Sequence, residues 1–160
     1  MKYLDGYEKM FEKRETVKVN FEWNDMKFKN IGLLSWAGGG YYAPIGAVSQ
    51  VVRQYIKQKI KVPFQIASSS YAGGDSIRVY ISPLDVNEDK FKEIKSDLET
   101  TFSDGQFDGM EDIYNYGDNE FVVEIDGHQV EFGTKYFFCE HRPKYDTKKY
   151  KDWEKTREDR

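Results

Sequence analysis

The sequence is poor in cysteine and histidine and has no long apolar run. Its 160 residues include one cysteine, Cys139, which can form no internal disulfide and therefore favours a reducing compartment. Nothing approaches the roughly 20 apolar residues of a membrane-spanning helix. The charged start also lacks the apolar segment of a secretory signal. These absences predict a cytoplasmic protein with no membrane partner.

What the sequence does contain is enough apolar material for a core. Apolar residues make up 39% and aromatic residues 16% of the chain. A chain of this length can bury roughly two-thirds of its unfolded surface and is most simply one domain. We predict an α+β fold, a mainly antiparallel sheet of hairpins with two packed amphipathic helices. It spans residues 1–142, and a charged tail or surface helix follows over 143–160.

Positive charge is absent from one long stretch. Residues 103–134 carry nine acidic side chains and no lysine or arginine, whereas 135–160 carry nine basic and six acidic ones. We expect the acidic residues to form one negative surface: Asp104, Asp108, Glu111, Asp112, Asp118, Glu120, Glu124, Asp126 and Glu131. Such a surface repels nucleic acid and attracts basic proteins.

Alternation of apolar and polar residues predicts the strands. The expected strands are 16–23 and 26–31 around an Asn24-Asp25 turn, 64–71 and 76–81 around a Gly-Gly turn, a single return strand 107–116, a hairpin over 119–132, and a final strand 136–141. Helical spacing predicts helices from Pro44 to Ile60 and after the N-cap Asn87 to Phe102. The polar face of the first helix is expected to be solvated: Arg53, Gln54, Lys57, Gln58 and Lys61.

The hairpin over 119–132 has a well-defined expected register. With Asp126-Gly127 as a two-residue turn, Val123 lies opposite Val130 and Phe121 lies opposite Phe132. Residues directly opposite each other share a face of the hairpin. The remaining face then presents three glutamates together: Glu120, Glu124 and Glu131.

Two groupings could carry chemistry. Asp108 and Asp112, with Asp104 or Asp118, could bind a divalent metal, although Asp-Gly is also ordinary turn chemistry. Cys139 and His141 could share a strand face as nucleophile and base, although their aromatic neighbours favour a buried cysteine. No histidine joins the aspartates, and the Cys139–His141 pair has no evident third member that would complete a catalytic site. We expect a non-enzymatic protein with no cofactor and no bound metal.

Two segments resemble a known family. These are Ser68-Ser-Ser-Tyr-Ala-Gly-Gly-Asp-Ser-Ile-Arg-Val79 and, after a helix, Phe107-Asp-Gly-Met-Glu-Asp-Ile-Tyr114. Together with the preceding helix they resemble a large polyvalent protein-associated domain of phages and conjugative elements, over about residues 45–116. The resemblance implies a mobile genetic element in a bacterial host cell, and it supplies no catalytic residues.

In size and charge the chain is similar to the type II anti-CRISPR inhibitors. This similarity implies a counter-defence protein that binds an RNA-guided DNA endonuclease through the acidic residues. The alternative is a nucleic-acid-binding accessory module that uses Arg53, Lys57, Lys61 and the lysine- and aromatic-rich tail. A third hypothesis is a metal-dependent enzyme using the aspartates described above.

Overall fold

A computed structural model describes residues 15–35, 39–71, 74–103, 105–108, 113–116, 121–145 and 147–158. In chain order the elements are β1 (Glu15–Trp23), β2 (Met26–Ser35), β3 (Tyr41–Tyr42), α1 (Ile45–Tyr55), a π-helical turn (Ile56–Ile60), β4 (Gln65–Tyr71), β5 (Gly74–Tyr80), α2 (Glu88–Phe102), β6 (Gly105–Asp108), β7 (Ile113–Tyr116), β8 (Val122–Ile125), β9 (His128–Glu131), β10 (Tyr136–Glu140) and α3 (Lys148–Glu158). The fold is α+β, as the sequence predicts.

The first sheet is built on the β1–β2 hairpin, with strand order β1-β2-β3. Asn24 and Asp25 both have positive φ, 47° and 65°, as a type I′ turn requires. The predicted alternation along β1 is confirmed, because Val17, Val19, Phe21 and Trp23 are half-buried and the residues between them are exposed.

The second sheet has strand order β10-β5-β4. β4 and β5 form the predicted antiparallel hairpin, and Ile77 and Val79 point from β5 into the core, where they are fully buried. β10 lies on the other side of β5 and runs parallel to it, with Phe137 opposite Ile77. A parallel pair needs a long crossover, which here includes α2 and the hairpins that follow it.

Helix α1 contacts β2 through side chains that we expected to be solvated. That expectation is wrong for Gln54 and Gln58. Oε1 of Gln54 accepts the Lys29 backbone N–H, and its Nε2 donates to the Lys29 carbonyl, both at 2.9 Å. Gln58 makes the same pair of bonds with Lys27, at 2.9 and 2.8 Å. Arg53, Lys57 and Lys61 are exposed, as predicted.

The spacing of the two elements explains this contact. Gln54 in α1 and Gln58 in the π-helical turn lie about one helical turn apart, and two residues of strand advance about 6.7 Å, so Gln54 and Gln58 match Lys29 and Lys27. Among the described residues, β3 pairs with Leu34 and Ser35 alone, and no strand pairs with this edge of β2 beside Lys27 and Lys29. The glutamine amides therefore take the place of a neighbouring strand.

Helix α2 begins and packs as the sequence predicts. The Asn87 side chain accepts the backbone N–H of Lys90 at 2.8 Å, which caps the helix. The four predicted core positions on α2 are all buried: Phe91, Ile94, Leu98 and Phe102. The helix therefore covers one face of the second sheet, where it packs against β10.

The predicted single return strand over 107–116 is wrong. The chain forms two short antiparallel strands, β6 and β7, in which Asp108 pairs with Ile113 and Gly105 with Tyr116. The sequence contains a turn-favouring Asp-Gly pair at 108–109, which argues against one uninterrupted strand over this segment. The residues that join the two strands, 109–112, lie outside the described residues.

One aromatic cluster joins the elements. Phe121 stacks on Trp23 with ring centroids 4.2 Å apart and on Phe102 at 5.3 Å, and it meets Phe28 edge-on at 5.2 Å. Phe121 comes from the start of the β8–β9 hairpin, while its partners come from the first sheet and α2. The hairpin is thus anchored in the core. Among the described residues, no helix is long and apolar enough to cross a membrane.

Candidate partner-binding surface

The β8–β9 hairpin has the predicted register. Val123 lies opposite Val130, and both are buried. The Phe132 backbone N–H donates to the Phe121 carbonyl at 3.0 Å, so the pairing continues past the ends of both strands. Asp126 and Gly127 have φ of 50° and 82°, which is the type I′ turn that the sequence predicts.

Glu124 and Glu131 occupy the outer face of this hairpin. Both side chains are exposed, and each lies one position from a buried valine, so they project away from the core. Within the described residues, neither carboxylate forms a salt bridge. We name this outer face, with Asp126 at its turn, the acidic hairpin face.

The structure places only part of the predicted acidic set. Asp108 ends β6. Five members lie outside the described residues: Asp104, Glu111, Asp112, Asp118 and Glu120. The acidic hairpin face therefore consists of Glu124, Asp126 and Glu131 as far as the structure describes it.

Asp126 has a partner that the sequence did not indicate. The Tyr41 hydroxyl donates to Oδ2 of Asp126, and this hydrogen bond raises the pKa of Tyr41 above its ordinary value. The Tyr41 ring also meets His128 edge-on at 6.1 Å. Tyr41 of β3 therefore holds the tip of the hairpin from the side.

A cleft of about 470 Å³ lies beside this contact. Its lining brings together residues from three parts of the chain: Tyr41, Tyr42, Ala43, Asp75, Gln129, Val130, Glu131, Gly133 and Lys135. Asp75 and Glu131 supply two carboxylates, Lys135 supplies one ammonium group, and the two tyrosines supply rings. No sequence signal links Asp75 to this place, because it belongs to the second sheet.

The Cys139–His141 grouping is engaged in packing. Cys139 is buried, and this burial, assisted by the nearby Glu99 carboxylate, raises the pKa of its thiol well above the ordinary range. The His141 ring stacks on Phe91 with centroids 4.5 Å apart and planes within 5°, and its Nε2 lies 2.8 Å from the Val86 carbonyl oxygen. This arrangement keeps the thiol protonated and away from solvent, which matches the predicted buried cysteine.

The metal hypothesis gains no support from the residues that are placed. Within the described ranges, no three His, Cys, Asp or Glu side chains come close enough together to hold an ion. Asp104, Asp112 and Asp118 lie outside these ranges. The acidic hairpin face and the adjoining cleft are the best-defined candidate site.

Comparisons with protein-family models, with curated proteins and with solved structures find no match to this chain. Functional inference therefore depends on the surfaces themselves. The resemblance to the polyvalent-protein module and the similarity to type II inhibitors stay predictions.

Proposed function

We propose that this protein is a non-enzymatic counter-defence protein that acts in the bacterial cytoplasm. Its acidic hairpin face binds a host defence nuclease, a type II CRISPR effector with its guide RNA. The observation that supports this proposal is that Glu124 and Glu131 share one exposed face of a hairpin anchored in the core. The resemblance to a mobile-element module supplies the biological context.

The physical basis is substitution for phosphate. RNA-guided nucleases hold nucleic acid in positively charged channels, and their lysine and arginine side chains are placed to neutralise phosphates. The backbone that carries these carboxylates is anchored in the core, so its conformational entropy is not lost when they bind such a channel, and only the side-chain rotamers become ordered. Complementary charge also raises the rate of association.

The cleft beside the hairpin supplies a place for one basic side chain of the partner. An arginine that entered it would meet the carboxylates of Asp75 and Glu131 and the rings of Tyr41 and Tyr42. Arginine favours both carboxylate pairing and aromatic stacking. The Lys135 ammonium group, which lines the same cleft, repels a second positive charge. The cleft therefore fits one basic side chain.

The test reverses charge on the acidic hairpin face. Glu124→Lys together with Glu131→Lys should abolish co-migration with a purified type II nuclease–guide complex on size exclusion and restore DNA cleavage in the same fractions. Adding Glu120→Lys extends the reversal. The matched control is Glu15→Lys with Glu22→Lys, which makes the same charge change at exposed strand positions of β1. Full inhibition by the hairpin variant would refute the proposed surface.

The alternative function, a nucleic-acid-binding accessory module, keeps one supporting observation. Arg53, Lys57 and Lys61 are exposed along α1 and the turn that follows it. Steep salt dependence of nucleic-acid binding that disappears when these three residues are replaced by glutamine would favour this function. Binding that is indifferent to those replacements would exclude this helix face.

A further inference from the structure

The outer face of the second sheet carries exposed aromatic rings. Phe138 on β10 is 39% exposed, although apolar side chains of its size are usually buried. Tyr136 lies two residues earlier on the same face, with its ring within 4° of parallel to that of Phe138 and the centroids 6.4 Å apart. These two rings form a flat apolar strip on a sheet surface that faces solvent.

Three aromatic rings each have a cation next to them. The Arg78 guanidinium lies 4.6 Å from the Phe138 ring centroid, and the Lys135 ammonium lies 5.5 Å from that of Tyr136. Arg142 lies 3.7 Å from the ring of Tyr145, which is 56% exposed. Each of these rings is therefore paired with a positive charge.

A single carboxylate connects these pairs. Oε1 of Glu140 accepts from Arg78 at 3.0 Å, and Oε2 lies 2.6 Å from Arg142 as an ion pair. The two guanidinium groups are thereby held at fixed positions beside Phe138 and Tyr145. Two guanidinium groups and one carboxylate leave this ion-pair cluster with one positive charge, on a chain whose net charge is −4.

The rows that cross the sheet from the two rings end in small side chains. Across the sheet, Phe138 is followed by Arg78 and then Ala67, and Tyr136 is followed by Ser76 and then Ser69. The surface is therefore low at Ser76, Ser69 and Ala67, beside the rings and Arg78. An extended chain could lie along this lower part of the face with its flat groups against the rings.

We propose that this outer face, which we name the aromatic sheet face, binds single-stranded nucleic acid. Bases stack on Tyr136 and Phe138, and phosphates approach Arg78 and Lys135. Rings paired with cations on a solvent-facing sheet match the two features that single strands require, stacking surfaces and positive charge. A duplex offers its phosphates but keeps its bases stacked inside, so it cannot use the rings. Lys135 also lines the cleft beside the acidic hairpin face, whereas Phe138 and Tyr136 belong to the aromatic sheet face alone.

The test measures fluorescence anisotropy of labelled oligo(U) and oligo(dT) of about 16 nucleotides with the full-length protein. We expect both to bind, with an unlabelled duplex of equal length competing poorly. Preference between the two probes reports whether the 2′-hydroxyl contributes. Phe138→Ala should weaken binding about 5- to 100-fold, the range found when one stacking ring is removed.

Two further variants separate stacking from general apolar contact. Phe138→Leu keeps the apolar bulk without a ring and should weaken binding as much as the alanine change, whereas Phe138→Trp should retain binding. The matched control is Leu84→Ala, since Leu84 is 57% exposed and lies outside this face. Lys135→Gln should reduce the slope of log affinity against log salt by about 0.7, the value for one phosphate contact on a single strand.

The proposal is overturned by any of three results: no binding at low salt, equal losses in Phe138→Ala and Leu84→Ala, or full binding by Phe138→Leu. Binding that depends on Arg53, Lys57 and Lys61 in place of Phe138 would assign nucleic acid to the α1 surface. If no oligonucleotide binds but Phe138→Ala disrupts a protein complex, the aromatic sheet face is a protein contact. Nuclease inhibition should survive Phe138→Ala, which keeps this test distinct from that of the acidic hairpin face.

Discussion

Replacement of Gln54 by alanine tests the most unexpected contact of the fold. The change removes the two hydrogen bonds between the side-chain amide and the backbone of Lys29, which lies 25 residues away in the chain. It leaves α1 free to form, because alanine has the highest helix propensity. Any loss of stability therefore reports the contact with β2.

The magnitude follows from the hydrogen bonds. Each is expected to contribute about 0.5–1.5 kcal/mol, and the helix-propensity gain of alanine offsets a few tenths of a kcal/mol. The contact is exposed, so water can replace the lost partner, and we expect the low end, about 1–2 kcal/mol. That corresponds to a drop in Tm of about 2–8 °C for a chain of this size.

Two measurements check this expectation. Urea unfolding should show a lower midpoint with an unchanged slope, as for a native-state change that leaves the exposed area alone. Amide hydrogen exchange locates the lost hydrogen bonds. The Lys29 N–H should exchange faster in Gln54→Ala, while the Lys27 N–H, which is bonded to Gln58, should keep its protection.

The matched control is Arg53→Ala, a neighbouring exposed position with a similar helix propensity. We expect it to change the free energy of unfolding by less than about 0.5 kcal/mol. Equal stability of the two variants, with no change in exchange at Lys29, would refute the inference that glutamine amides complete the β2 edge.

Three other outcomes follow from buried or bonded groups. Cys139 should resist alkylation in the folded protein at pH 8 and react after unfolding, because burial keeps its thiol protonated; rapid native-state labelling would contradict this. The unfolded thiol ionises near pH 8.5 while the folded one does not, so stability should fall above that pH, by up to about 1.4 kcal/mol per pH unit from this group. In Cys139→Ala the free energy of unfolding should fall less steeply above that pH. The same pH dependence in Cys139→Ala and the wild type would show that Cys139 does not contribute to it. Tyr55→Phe removes a hydroxyl that donates to Asp97 at 2.9 Å and accepts from Lys59 at 2.9 Å; we expect a loss of about 1–2 kcal/mol in urea unfolding, and full stability would show that water replaces both bonds.

Prediction from the sequence succeeded where the signal is local. The turns at Asn24-Asp25 and Asp126-Gly127, the Asn87 cap and the register of the β8–β9 hairpin all depend on residues a few positions apart. Positive φ, capping and alternation act over such distances, so each has a recognisable pattern. The prediction failed at 107–116, where we expect one strand and the structure has two; this segment contains an Asp-Gly pair, which favours turns.

The candidate surfaces were predicted in part. The outward projection of Glu124 and Glu131 follows from alternation with Val123 and Val130, and the structure confirms it. The Tyr41–Asp126 hydrogen bond joins residues 85 positions apart, and no periodicity signals it. The cleft at their side is likewise a product of two sheets and a hairpin coming together.

The sequence by itself determined the α+β class, the core face of α2 and the register of the β8–β9 hairpin, because these depend on short-range periodicity and turn chemistry. Only the tertiary structure decided that β10 joins β5 in parallel, which places Phe138 beside Arg78. Only it turned the glutamines of α1 toward the edge of β2. Such contacts are selected by which surfaces meet when the core closes, and the polar residues that take part in them look identical in sequence to residues that face water.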